Sequence, residues 1–147
     1  MTDYNGVEIL FAEDSMDDAA LTIRALNKCG FTNKVFHVKD GAEALDFIYC
    51  RGKYEQRNKT EQPTVIFLDL KMPKVSGLEV LAQIKSDPHW KTIPTVILTS
   101  SNEDPDIKEC YALGANSYIV KPVESENFTK AITELGLYWM MRSKPAK

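Results

Sequence analysis

Four short apolar runs each deliver a reactive side chain at their carboxyl end. Val7-Glu8-Ile9-Leu10-Phe11-Ala12 leads into Glu13-Asp14, Val65-Ile66-Phe67-Leu68 into Asp69, Thr95-Val96-Ile97-Leu98 into Thr99, and Ser117-Tyr118-Ile119-Val120 into Lys121-Pro122. Carboxylates taken out of water without partners are costly. Three of them converging at one place therefore call for a hard cation. Mg²⁺ answers that need, because it takes oxygen ligands, uses one or two carboxylates directly and keeps several waters. Asp14 and Asp69 are the expected direct ligands, with Glu13 binding directly or through water. The backbone carbonyl of Lys71, just past Asp69, completes the protein's share. With its charge so offset, Asp69 has a free oxygen able to attack a phosphoryl group in line and form an aspartyl phosphate. The phosphoryl oxygens then need donors already aimed at them, and the Lys121 ammonium and Thr99 hydroxyl supply these.

That chemistry requires the four runs to end side by side. Near-continuous apolar runs are the mark of strands buried on both faces of a parallel sheet, and ligands of such sheets bind beyond the strands' carboxyl ends. Between the runs the apolar spacing becomes helical. Ser15 is a helix cap with Asp18 three residues on, and Met16, Ala19, Ile23 and Leu26 form one face before Gly30. A further strand at about Val35 to Val38 precedes Asp40-Gly41-Ala42-Glu43, a second capping pattern, and a helix facing inward through Ala44, Leu45 and Ile48. Ser76-Gly77-Leu78-Glu79 opens a helix carrying Leu81 and Ile84 that Pro88 forbids from continuing. Asp104-Pro105 reads as cap and first helical residue of the next, which ends at Gly114, and a last helix occupies about Glu124 to Arg142. Five strands alternating with five helices predict an α/β fold: a doubly wound five-stranded parallel sheet of flavodoxin-like order 2-1-3-4-5, helices on both faces.

The bulk properties bound the function. A chain of 147 residues that is 44% hydrophobic suits one domain with one core, expected here over residues 1–147 with its core at about 7–142 and no output domain. With 18 basic against 21 acidic residues and a net charge of −3, the chain is not a general nucleic-acid or membrane binder. No apolar stretch reaches the length of a membrane span, and Met1-Thr2-Asp3-Tyr4-Asn5 is no signal peptide. Cys29, Cys50 and Cys110 are odd in number and scattered, which reads as reduced structural thiols in a cytoplasmic protein. Asp17 and Asp18 read as helix N-terminal acids that favour the macrodipole. His37 and His89 read as structural. The polar stretch Arg51 to Pro63 is longer than the usual helix-to-strand connection and reads as a surface excursion.

The constellation resembles the receiver domain of two-component response regulators, the CheY-like family. Glu13-Asp14, Leu68-Asp69-Leu70-Lys71-Met72-Pro73, Gly77, Leu98-Thr99-Ser100 and Val120-Lys121-Pro122 fall where that family's motifs fall, from about Val7 to the last helix. The resemblance implies that Asp69 is the phospho-acceptor, that Tyr118 switches with Thr99, and that the Lys121-Pro122 bond is cis. It also implies a sensor histidine kinase as phosphoryl donor and a role in signalling, with no enzymatic turnover of external substrates. The first acid is Glu13 where many relatives carry Asp, which lengthens one arm of the pocket. Within the family, the Arg51 to Pro63 excursion and the aromatic Tyr138-Trp139 look like regulators paired with bacterial phytochrome-type kinases.

Other readings fit less well. A flavodoxin-type flavin domain would set a phosphate on the loop Glu13-Asp14-Ser15-Met16-Asp17-Asp18, whose four acids repel it. An aspartate-dependent phosphatase needs a second acid two residues after its nucleophile, where this chain has Lys71. A receiver that only binds would not need the intact acid, Thr and Lys set. In the last helix Phe128, Ile132, Leu135 and Trp139 share one face while Leu137, Tyr138, Met140 and Met141 lie largely off it. So much apolar surface on a small monomer predicts an interface, most simply with a second copy of the chain.

Overall fold

In the computed structural model, residues 6–28, 34–121 and 125–134 are described. Five strands, β1 (Ile9–Ala12), β2 (Val35–Val38), β3 (Val65–Leu68), β4 (Thr95–Thr99) and β5 (Ser117–Val120), alternate with five helices, α1 (Met16–Lys28), α2 (Gly41–Ile48), α3 (Gly77–Ser86), α4 (Asp104–Leu113) and α5 (Ser125–Glu134). All strand pairs are parallel, in the order β2-β1-β3-β4-β5. The expected order is the observed one.

Side chains alternate between the two faces of a strand, and the core divides accordingly. Leu10, Ala12, Ile66, Leu68 and Ile97 pack with α2 and α3 through Ala44, Leu45, Phe47, Val80, Leu81 and Ile84, and with Cys110 of α4. Ile9, Phe11, Val65, Phe67, Val96, Leu98 and Ile119 pack with Ala19, Ala25 and Leu26 of α1 and with Ala131 of α5. The three central strands are fully buried. Each large side chain so buried contributes roughly 1.5–3 kcal/mol.

The helix starts follow the capping chemistry read from the sequence, with two departures. Ser15 Oγ accepts from the Asp18 amide at 3.1 Å, Asp40 Oδ1 from the Glu43 amide at 2.7 Å, and Ser76 Oγ from the Glu79 amide at 3.2 Å. In α4 the cap is Glu103, with Asp104 already helical and Pro105 next to it, so the start lies one residue earlier than expected. Gly114, at φ 108°, ends that helix as expected. Met16 does not join the apolar face of α1: it is 68% exposed, and burial on that face begins with Ala19. Cys50 and Cys110 are buried free thiols, whereas Cys29, Gly30, Pro122 and the expected helical segment from Leu135 to Arg142 lie outside the described residues.

The excursion Arg51 to Pro63 is pinned to the core by more than its polar sequence suggests. Tyr54 and Arg57 are buried within it. The Tyr54 ring meets Phe47 edge-on at 5.3 Å and Phe36 at 5.7 Å, and the Arg57 guanidinium lies 4.2 Å above the Phe47 ring. Glu43 holds the near end, accepting from the Tyr54 hydroxyl, from Lys53 Nζ at 2.8 Å and from the Lys39 amide at 2.9 Å. Burial alone would raise the Glu43 pKa, but the bonds from Lys53, Tyr54 and Lys39 outweigh it and bring it to about 2, below the ordinary 4.5. A depressed carboxylate stabilises the fold above its unfolded pKa and loses that contribution as the pH falls toward the folded value. The gap in urea midpoint between wild type and Glu43→Gln is therefore expected to be constant at neutral pH and to close between pH 4.5 and about 2. A gap that did not change with pH would refute this anchoring.

Candidate functional site

The sheet register sets the site. Ala12 pairs with both Val38 and Leu68, Leu68 with Ile97, and Thr99 with Val120. Glu13 and Asp69 therefore leave neighbouring strands at the same level, and Lys121 follows β5, two strands beyond β3 along the same edge. The connection after β1 leads to β2 on one side and the next strand, β3, lies on the other, and this switch in strand order opens the crevice in which they meet.

Lys121 Nζ lies 2.5 Å from Glu13 Oε1, 2.9 Å from Asp18 Oδ2 and 3.1 Å from Asp69 Oδ2. Single ligand oxygens of Glu13, Asp14 and Asp69 all fall within 4.8 Å of one another. Glu13 and Asp69 are buried and Asp14 is exposed. Burial, opposed by the Lys121 bond and reinforced by the neighbouring Asp69 charge, pushes the Glu13 carboxyl up to about 7. Burial would lower Lys121, but its bonds to Glu13 and Asp18 and the Asp69 charge hold the ammonium well above the ordinary lysine range. Three carboxylates thus share one ammonium, with Asp14 beside them. The edge carries surplus negative charge, and its oxygens are grouped as a hard divalent cation needs them, so the residues fit Mg²⁺.

Asp69 is held on both sides: Oδ2 by Lys121, and Oδ1 by the Lys71 amide at 3.3 Å. The Lys71 side chain is exposed. The loop after Asp69 folds back tightly, with the Gly77 amide donating to the Leu70 carbonyl at 2.9 Å. A Cβ on Gly77 would sit 1.9 Å from the Asp69 carbonyl oxygen, so only glycine lets α3 start there. Gly77→Ala is expected to cost about 1–3 kcal/mol and to displace Asp69. An unchanged urea midpoint would contradict this.

Thr99 is fully buried at the end of β4, where its carbonyl accepts from the Lys121 amide at 2.8 Å. Its hydroxyl oxygen accepts from the Ser101 amide at 3.4 Å. The half-buried Tyr118 donates its hydroxyl to the Ser101 carbonyl at 2.8 Å. Ser101 therefore links the two residues expected to switch, and its own hydroxyl donates to Asp106 of α4 at 2.5 Å. The sequence reading did not single out Ser101, although its position two residues beyond Thr99 was the available signal.

One further assignment changes, and another gains detail. Asp18, read as a macrodipole acid, turns its carboxylate to Lys121. His37 holds structure, as expected, with Nε2 2.7 Å from the Glu13 carbonyl oxygen. His89 is exposed and remote, lining a surface groove with Tyr49 and Asp87. Among the described residues, no helix is long and apolar enough to cross a membrane.

The response regulator receiver domain family matches residues 9–133. The bacteriophytochrome response regulator RtBRR superposes with a TM-score of 0.84 at 45% identity, over 95% of this chain and 83% of that one. The probable methanogenesis regulatory protein FilR2 of Methanothrix harundinacea is 36% identical over 132 residues, covering 90% of this chain and 83% of its own. Response regulator Rcp1 of Synechocystis sp. is 34% identical over 90% of this chain and 88% of its own. The Mn²⁺-bound structure of Rcp1 superposes with a TM-score of 0.75 at 34% identity, over 94% of this chain and 98% of that one. A five-stranded parallel sheet with acids, threonine and lysine at its carboxyl edge, matched over most of its length, places this chain in the response regulator receiver domain family of two-component signalling, close to the bacteriophytochrome response regulators.

Proposed function

We propose that the chain is a phospho-accepting switch in which Asp69 takes a phosphoryl group from a phosphohistidine of a sensor kinase. The observation that carries this reading is the meeting of Glu13, Asp14 and Asp69 oxygens within 4.8 Å beside a lysine whose Nζ is 3.1 Å from the Asp69 carboxylate. In the transfer, an Asp69 oxygen forms the new O–P bond as the histidine P–N bond breaks, and the imidazole leaves with the electron pair and takes a proton. Glu13, Asp14, Asp69 and the Lys71 backbone carbonyl would hold Mg²⁺, which when bound offsets charge on the transferring phosphoryl oxygens. Lys121 gives up part of its hold on the acids to meet one phosphoryl oxygen, and the Thr99 hydroxyl meets another.

Movement of Thr99 toward the phosphoryl group draws on Ser101, to which Tyr118 is bonded, so the aromatic ring is biased between two positions. Beryllofluoride is expected to change amide exchange across 104–118, and identical exchange in both states would sink this switch. The likeness to bacteriophytochrome regulators supports a phytochrome-type sensor kinase as donor, and the receiver domain is read as acting in the cytoplasm and signalling through protein contact. Its sequence from Leu135 to Met141 supports an interface, with a second copy of the chain as the proposed occupant and the kinase or an effector as the other occupants, which sedimentation of wild type against Tyr138→Glu/Met141→Glu checks. A wild type that stays monomeric with and without beryllofluoride argues against self-association. The primary test is mass spectrometry after incubation with acetyl phosphate and Mg²⁺. One slowly decaying phosphoryl adduct is expected, whereas continuous release of phosphate would indicate a phosphatase and no adduct a binding module.

A further inference from the structure

We infer that His37 is a positioning residue for the cation site, fixing the peptide plane that joins Glu13 to Asp14. The inference rests on the metal reading of the acid cluster proposed above, and its geometry is separate from that reading.

β1 ends at Ala12, so Glu13 and Asp14 stand beyond the last regular strand pair. The Glu13 amide is still held by β2, donating to the Val38 carbonyl at 3.0 Å. After Val38, β2 turns away, because Asp40 becomes the cap of α2. The Glu13 carbonyl instead meets a side chain, His37 Nε2, at 2.7 Å. A carbonyl oxygen only accepts, so Nε2 must carry the proton and donate.

The ring itself is held. His37 pairs with Phe11 across β1 and β2, its centroid 5.5 Å from the Phe11 ring, and Phe11 in turn meets Phe67 of β3 edge-on at 6.4 Å. The half-buried imidazole thus hangs from the aromatic core and reaches out to the loop.

The Glu13 carbonyl and the Asp14 amide belong to one planar unit. Pinning the carbonyl sets the orientation from which the Asp14 Cα–Cβ bond leaves. Asp14 is the exposed member of the acid trio and takes least support from packing. Its carboxylate direction therefore depends most on this backbone clamp. Groups that orient a metal's ligands typically change affinity by 10–100-fold when removed. His37 acts one peptide unit away from the ligand side chain, so the lower end of that range is expected.

The test compares full-length wild type, His37→Phe and His37→Gln. Phenylalanine keeps an aromatic ring against Phe11 and removes the donor. The glutamine amide returns an N–H donor at similar reach. By calorimetry, His37→Phe is expected to bind Mg²⁺ about tenfold more weakly than wild type, and His37→Gln to recover most of that loss. Without Mg²⁺, the Asp14 amide resonance should shift in His37→Phe and return toward its wild-type position in His37→Gln, with urea midpoints alike. Equal Mg²⁺ affinity in wild type and His37→Phe overturns the inference, as does equal weakening in both variants, which would make the ring itself the requirement. A measurement needing no variant is the nitrogen spectrum of the wild-type imidazole: a proton on Nδ1 with Nε2 bare overturns the inference. If wild type takes up no Mg²⁺, the metal reading fails, and with it the role assigned to His37, even if the amide shifts show the clamp itself to be present.

Discussion

Asp69→Asn is expected to abolish the phosphoryl adduct while the protein stays folded. The amide is nearly isosteric and keeps an oxygen to accept from the Lys71 amide, which now bonds Oδ1 at 3.3 Å. It has no anionic oxygen with which to attack phosphorus. Removing the Asp69 charge also takes away one of the causes that push Glu13 up to about 7, so the Glu13 carboxyl should titrate lower in the variant. Loss of the adduct, an unchanged urea midpoint and a lowered Glu13 titration form one pattern. Phosphorylation of the variant at the wild-type rate would remove Asp69 from the acceptor position.

The second large effect separates metal from phosphoryl recognition. Asp14→Ala deletes an oxygen of the acid trio and is expected to weaken Mg²⁺ by at least about tenfold, slowing phosphorylation in proportion. Lys121→Ala should act the other way on the metal. Its ammonium bonds Glu13, Asp18 and Asp69 and repels a divalent cation, so the variant should bind Mg²⁺ as tightly as wild type or tighter. Phosphorylation should nonetheless suffer, because the donor for one phosphoryl oxygen is gone. Calorimetric titration of both variants decides the matter, and similar losses of Mg²⁺ affinity in the two would contradict this division of roles.

Much of the site was legible in the sequence because its residues are strand ends. Glu13, Asp69 and Lys121 each follow a four-residue strand directly, and Thr99 ends the five-residue β4. A run of apolar residues ending in a polar one therefore points to the sheet edge without knowledge of tertiary packing. Asp18 and His37 carry no such mark. Asp18 joins the cluster because the first turn of α1 faces the end of β5, and His37 because β2 turns away one residue after it. Both are consequences of how distant elements meet, which local pattern does not encode. Met16 shows the converse: its helical spacing was right, but the core it should face starts a turn later. The excursion was legible as a loop from its polarity, while its anchoring through Tyr54 and Arg57 depended on finding Phe47.

Among the described residues, the ammonium bonded to the acids stands just past the fifth strand, 108 positions after Glu13. On the ribosome, the amino-terminal part of a chain emerges and begins to organise first. A nascent chain that has paired β1, β2 and β3 presents Glu13, Asp14, Asp18 and Asp69 along one rim, while Lys121 has yet to be made. The rim repels itself at that stage, and pairing of β5 with β4 relieves the strain by bringing Lys121 within 2.5 Å of Glu13. Before then, a bound divalent cation would do the same. Translation intermediates short of residue 121 should therefore be more sensitive to Mg²⁺ depletion than the finished protein.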